Sequence, residues 1–212
     1  MENIILCEDD ILALRERVRP YLTDKRYSHT LSVEREADRL GELYLPAERH
    51  RLRAAALLHD ITKKADLEKQ LQYCAEFGIM FSNKDGISPE VLHAVTGAEL
   101  AKRDFSDVTD DGIVSAVARH TTGDGCMTLF DAIIYLADYI EETRTFEGCR
   151  ALRSCFWDRI EAGDDRTEVL TDTLIKSFDM TIEHLIEKGS VIDLKTVEAR
   201  NRCVSRSLFD GE

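Results

Sequence analysis

The 212-residue chain is expected to be all-α, a bundle of roughly eight to ten helices. Three observations predict this class. Apolar residues recur at spacings of three and four, alternating β patterns are hard to find, and capping residues punctuate the segments. Ile11, Leu14, Val18 and Leu22 form the first amphipathic stripe. A second helix is expected over about 27–44. A third starts near Pro46, because proline suits a first helical turn, and carries Leu52, Ala55, Ala56 and Leu58 into His59-Asp60. Ser88-Pro89-Glu90 reads as an N-cap, a proline at the first position and an acid on the positive helix end. That helix continues through His93 to about Arg103, and the next spans about 110–119 and ends at His120. Thr128 and Asp131 have the spacing of a capping box and open a helix through Leu136-Ala137-Asp138. Further helices are expected at about 148–160, 166–188 and 194–209, with Gly189 as a C-cap.

Hydrophobic residues (43%) and charged residues (33%) stand in the proportion of a folded protein rather than a disordered one. Pro20, Pro46 and Pro89 lie far apart, and no Pro/Gly/Ser-rich stretch or repeat divides the chain, so residues 1–212 are expected to form one domain. The net charge of −13 argues against a general nucleic-acid binder, whose affinity rests on Lys and Arg. A small phosphorylated ligand would need local positive charge, and bound metal ions are its simplest source. Met1 to Asp10 carries no basic segment followed by an apolar run, and no stretch is long enough to span a bilayer. The six cysteines form no CxxC pair and read as reduced thiols. A cytoplasmic protein without a membrane partner is expected; a homodimer stays open.

Asp60 ends the apolar run Ala54-Ala55-Ala56-Leu57-Leu58, and a carboxylate drawn inward there needs a partner or a metal. Asp131, Tyr135 and Asp138 share one helix face, flanked by Ile134 and Ala137. His120-Thr121-Thr122-Gly123 leaves an apolar helix for a loop. Gly97 follows His93 by one turn, where close packing or a ligand's approach would explain a helical glycine. Taken singly, each histidine is more often a satisfied core residue than a ligand.

The order rises above those readings: His29, then His59-Asp60, His93, His120 and Asp138. It resembles the extended pattern of the HD superfamily of metal-dependent phosphohydrolases. Four stretches resemble, more narrowly, the YqeK-type symmetrical diadenosine-tetraphosphate hydrolases of bacteria. They are Arg26-Tyr27-Ser28-His29-Thr30, Ala54 to Lys63, His120 to Gly123, and Tyr135-Leu136-Ala137-Asp138-Tyr139-Ile140-Glu141. The resemblance runs from about Arg26 to Gly189; the tail beyond aligns with nothing. It implies an HD-domain helical bundle with a metal-binding core over about 26–145, and helices over about 148–209 that complete the nucleotide pocket. It also implies an iron-dependent enzyme that gives two ADP from diadenosine tetraphosphate.

On that resemblance, His29, His59, Asp60 and Asp138 form the first metal site. The donor set suits iron, manganese, cobalt or zinc alike, and the resemblance favours iron. His93 and His120 either hold a second ion bridged by Asp60 or bind phosphate directly. A metal-activated water would attack phosphorus without a covalent protein intermediate. Asp60, Lys63, His93 and His120 would carry catalysis. Lys63, Lys64 and Arg144 are candidates for neutralising the polyphosphate, although a solvated surface is the simpler reading for Lys64. Thr121, with Thr181, Ile182, Glu183, Leu185 and Ile186, would help bind the nucleotide. His184 has no metal-like neighbours in sequence, and His50, beside Arg49 and Arg51, is expected to be exposed. Two other readings stay open: an HD-type nucleotidase or phosphodiesterase on another nucleotide, and a non-catalytic dinucleotide sensor. Ile61-Thr62-Lys63-Lys64 stands where the alarmone hydrolases carry an acidic pair, which argues against that branch.

Overall fold

The computed structural model describes residues 3–80 and 91–206. Among these are ten α-helices and no strand. Helix α1 (Glu8–Val18) opens on three acids, Glu8, Asp9 and Asp10, and buries Ile11, Leu14 and Val18. Helix α2 (Asp24–Tyr44) begins three residues before the expected start, because the Thr23 hydroxyl accepts from the Arg26 N–H at 3.3 Å and caps it there. Pro46 opens a short 3₁₀ turn (Pro46–Glu48), and α3 follows only at Arg49–Leu58. The expected helical start at Pro46 is corrected to that extent.

Helix α4 (Leu67–Phe77) was not anticipated. Its ends are well marked, by Asp66 accepting from the Lys69 N–H and by Gly78 at φ +67°. Its buried face, however, is only Gln70 and Cys74, while Leu67 and Leu71 are exposed, so no apolar stripe announces it. Helix α5 (Leu92–Asp104) carries His93; the expected cap at Ser88-Pro89-Glu90 lies outside the described residues. Helix α6 (Asp111–Arg119) is capped by Asp110, and α7 (Leu129–Ile140) by the reciprocal Thr128–Asp131 box that the spacing predicts. Helices α8 (Glu147–Ala162), α9 (Arg166–Glu187) and α10 (Leu194–Val204) follow, with Gly189 at φ +61° just beyond α9. The expected extension of the last helix to 209 falls partly outside the described residues.

Helix α7 is apolar nearly all round and buried from Phe130 to Ala137, the signature of a central helix. It packs against α2, α3, α6, α8 and α9. One apolar cluster runs from Leu6 to Cys203, so the C-terminal helices share it; Tyr135 of α7 stacks on Phe178 of α9 at 4.5 Å between centroids. The loop after α6 turns at Gly123 (φ +67°), where an added Cβ would meet the Phe178 ring at 2.8 Å. That tight turn holds His120 and Thr121 against the core.

Candidate metal centre

Five helices or their ends bring the predicted histidines and aspartates together. His29 sits on the second turn of α2, His59 and Asp60 just past α3, His93 at the start of α5, His120 just past α6, and Asp138 in the last turn of α7. All four histidine positions are buried, as is Asp60 at 2% exposure. Asp60 faces two ways. Its Oδ2 lies 3.2 Å from His59 Nε2 and 3.8 Å from His29 Nε2; its Oδ1 lies 3.2 Å from His93 Nε2 and 3.7 Å from His120 Nε2. Asp138 Oδ1 completes the first group, 3.0 Å from His29 Nε2 and 3.9 Å from His59 Nε2.

The ring tautomers are fixed from behind. His59 Nδ1 donates to Ala56 O (2.6 Å) and His120 Nδ1 to Val117 O (2.7 Å), which leaves each Nε2 with its lone pair turned inward. His29 Nδ1 meets Glu141 Oε1 at 3.1 Å, and Glu141 is itself held by the Thr143 N–H and hydroxyl. His29 Nε2 and His59 Nε2 are buried and make no hydrogen bond of acceptable geometry. Two orphaned imidazole nitrogens facing two carboxylates could hold a cation, since donors about 2.1 Å from one ion stand roughly 3 Å apart at right angles. Electrostatics agree. Burial opposes charge on His29, but Asp138 and Glu141 outweigh it and lift its pKa to about 9, so the site draws positive charge. Burial likewise opposes ionisation of Asp60 and Asp138. The surrounding imidazoles, and for Asp138 first of all Arg144, nevertheless hold both well below the usual carboxylate range.

The second group differs. His93 Nε2 and His120 Nε2 are 3.1 Å apart, with the Thr121 hydroxyl within 3.2 Å of both and Lys63 Nζ 3.1 Å from His93 Nε2. Burial pushes the His93 pKa down to about 4, which keeps this ring neutral and able to ligate near pH 7.

An HD domain matches residues 26–143. The symmetrical bis(5'-nucleosyl)-tetraphosphatase of Bacillus subtilis is 34% identical over 190 residues, covering 90% of this chain and 95% of that one. Its counterpart from Halalkalibacterium halodurans is 33% identical over 187 residues, 87% and 92% of the two chains. A crystal structure from Clostridium acetobutylicum, described as a predicted HD superfamily hydrolase involved in NAD metabolism, superimposes with a TM-score of 0.80 at 35% identity, covering 96% of this chain and all of that one. The chain belongs to the HD-domain family of symmetrical bis(5'-nucleosyl)-tetraphosphatases. A divalent metal follows from the HD domain, and the His and Asp donors fit one.

The HD centre opens into a cavity of about 270 Å³. Beside the centre's own residues, Arg26, Lys63, Thr121, Tyr135, Tyr139, Arg144 and Thr181 line it. Arg26 Nη1 reaches Asp60 Oδ2 at 2.7 Å, and Arg144 Nη2 reaches Asp138 Oδ1 at 2.7 Å, so each carboxylate has a guanidinium at the rim. Lys63 is half-buried, and burial lowers its pKa against the pull of Asp60 and Asp138. Lys64 turns away; its ammonium donates to Pro20 O. Close packing does not require glycine at 97, since an added Cβ would meet Thr62, the His59 carbonyl and Val117 at ordinary contact distances of 3.4–3.7 Å. Thr62 in turn donates to His93 O and ties the His-Asp turn to α5.

A second cavity of about 460 Å³ shares Tyr139, Arg144 and Thr181 with the first and continues along α9. Glu183 and Leu185 line it as the resemblance implied, and Phe146, Cys149 and Met180 join them; Ile182 and Ile186 do not line it. His184 lies on its wall, away from the HD centre. His50 is far from the centre, half-exposed and 3.6 Å from Glu8. Asp131 is not a ligand; it takes the Thr128 N–H, Ser115 and Arg119 and serves the cap of α7. The sequence reading missed Arg26, Tyr139 and Glu141 as site residues. All three stand inside the stretches that carry the family resemblance, so the signal was present. Phe146 and Met180 gave none, because only the fold places them beside Thr181.

Proposed function

We propose that the chain hydrolyses diadenosine tetraphosphate symmetrically to two ADP at the HD centre, with iron as the native metal. The observation that carries the reading is the convergence of orphaned His29 and His59 nitrogens on Asp60 and Asp138, at the floor of a cavity rimmed by cations. In an acidic protein, Arg26, Lys63 and Arg144 are the groups that would meet a polyphosphate there.

A bound divalent ion supplies an acidified water and positive charge at the phosphoryl oxygen. His29, His59, Asp60 and Asp138 would hold it, and Asp60, with an oxygen toward each histidine pair, is the residue that could serve two ions. His93, His120, Thr121 and Lys63 would bind the oxygens of the attacked phosphoryl group. In the overall reaction water oxygen bonds to one inner phosphorus and the bridging bond between the second and third phosphates breaks. The second ADP leaves with the bridging oxygen, and the two protons of the water are released as both new terminal phosphates ionise. The departing group is a phosphate oxyanion, so charge neutralisation by Lys63 and Arg26 suffices and no strong general acid is needed. The cavity along α9 would take one adenosine.

The test is anaerobic incubation of iron-loaded protein with diadenosine tetraphosphate, products resolved by chromatography, with His59→Ala alongside. ADP as sole product from the wild type and none from the variant supports the reading. AMP with ATP overturns symmetrical cleavage. Equal or better turnover with manganese or cobalt at matched occupancy overturns iron.

A further inference from the structure

A centre that cleaves a dinucleotide at its middle must place two nucleoside diphosphates, and the cavity along α9 accounts for one. We propose that the second, the departing nucleoside diphosphate, binds in a separate cavity between the 3₁₀ turn Arg19–Tyr21 and the start of α4. This rests on the dinucleotide reading above. The cavity holds about 350 Å³ and shares no lining residue with the two on the α7–α9 side. Ile61 and Thr62, the two residues directly after Asp60, are part of its wall, and Thr62 is itself bonded to His93 O.

Its chemistry suits a nucleoside diphosphate. Two half-buried tyrosines, Tyr21 and Tyr73, give it aromatic surface; Tyr73 already stacks on Phe77 at 6.0 Å between centroids, and a base on Tyr73 would take the place of the Lys69 ammonium. Lys64 and Lys69 give it positive charge. Lys64 Nζ donates to Pro20 O at 2.7 Å; Lys69 Nζ lies 4.7 Å from the Tyr73 centroid and 3.5 Å from Gln72 Oε1. Among the described residues neither ammonium has a carboxylate within ion-pair distance, in a chain where 28 bases face 41 acids. Asp66 also lines the cavity, but its carboxylate accepts from the Lys69 N–H at 2.9 Å and caps α4. Arg26 and Lys63 line the metal cavity and Lys64 and Lys69 line this one, so cations stand in the cavities on both sides of the segment Asp60 to Lys64. That placement accounts for Lys64, which the metal pocket does not use.

Two substrates separate this subsite from the centre itself: diadenosine tetraphosphate and adenosine 5'-tetraphosphate, which lacks the second nucleoside. Tyr73→Leu should lower the ratio of kcat/KM for the first to that for the second by about tenfold, the scale of one lost base stack. Lys64→Ala with Lys69→Ala, at exposed positions, should raise KM for the dinucleotide by about tenfold. An unchanged ratio in the first variant, or an unchanged KM in the second, overturns the assignment. If the wild type cleaves neither substrate to ADP, the dinucleotide reading fails first and this subsite with it.

Discussion

Helices α2 and α3 each serve two kinds of buried charge, and the two are built on opposite plans. Glu34 lies five residues after His29 on α2 and is 1% exposed. Both of its oxygens are taken: Arg15 grips them through Nε and Nη2 at 2.8 Å each, and Arg53 of α3 adds a bond at 2.9 Å. Arg53 then reaches Glu8. This cluster is neutral and closed; every charge finds its counter-charge in the chain. At the HD centre, one and a half helical turns away, the carboxylates face imidazoles, with a single guanidinium each at the rim. Asp60 and Asp138 look at imidazole nitrogens whose other ring atoms are already committed. The first arrangement closes on itself, and the second leaves the His29 and His59 Nε2 atoms without a hydrogen-bond partner. A buried polar cluster is therefore a sign of function when some of its atoms are left without partners, not merely when it is buried.

Asp60→Asn should break the centre most severely. Removing one shared carboxylate costs several kcal/mol of transition-state stabilisation, a loss of roughly 10³-fold or more in kcat/KM. The melting temperature gained on adding metal should vanish as well, because a ligand stabilises only the state that binds it. Retention of activity within tenfold would place the reaction elsewhere.

Glu34→Gln should do the reverse. It leaves Arg15 and Arg53 facing an uncharged amide in a buried setting, which should cost roughly 3–5 kcal/mol of stability by urea unfolding. Metal affinity of the folded protein should stay within about twofold. A large fall in metal affinity without a fall in stability would erase the contrast between the two clusters.

The two clusters also differ in how far the sequence discloses them. The convergence of the candidate ligands was legible because their order along the chain is a family pattern and each sits at a helix end or face that periodicity locates. Helix α7 was legible for a local reason as well, its Thr–Asp box. Helix α4 was not, because its inward face is an amide and a thiol: Gln70 donates to Thr62 O and accepts from Thr96, a polar seam no hydrophobic stripe reveals. The Glu34 lattice and the Arg26–Asp60 contact were hidden too. They join residues 19 and 34 positions apart, and which of many Arg and Glu pair is settled only by packing. Glu141, 112 residues from His29, is the extreme case.

Glu141 tests the border between the two plans, since it is a closed contact that serves the open one. Its carboxylate orients His29 from behind, so Glu141→Gln should weaken metal affinity about 10–100-fold, the usual cost of losing such support. The acid limb of stability supplies an independent reading on chelator-treated protein. Burial works against an ionised Glu141, but His29 and Thr143 outweigh it and bring its pKa down to about 2. Because the folded value lies below the ordinary 4.5, the stabilisation is fully present above pH 4.5 and is lost as pH falls through 2. At about 1.4 kcal/mol per pH unit, the wild type should lose about 3 kcal/mol across that window through this group. Glu141→Gln should flatten the same stretch of the curve. A variant with unaltered acid slope and unaltered metal affinity would make Glu141 a neighbour of His29 and nothing more.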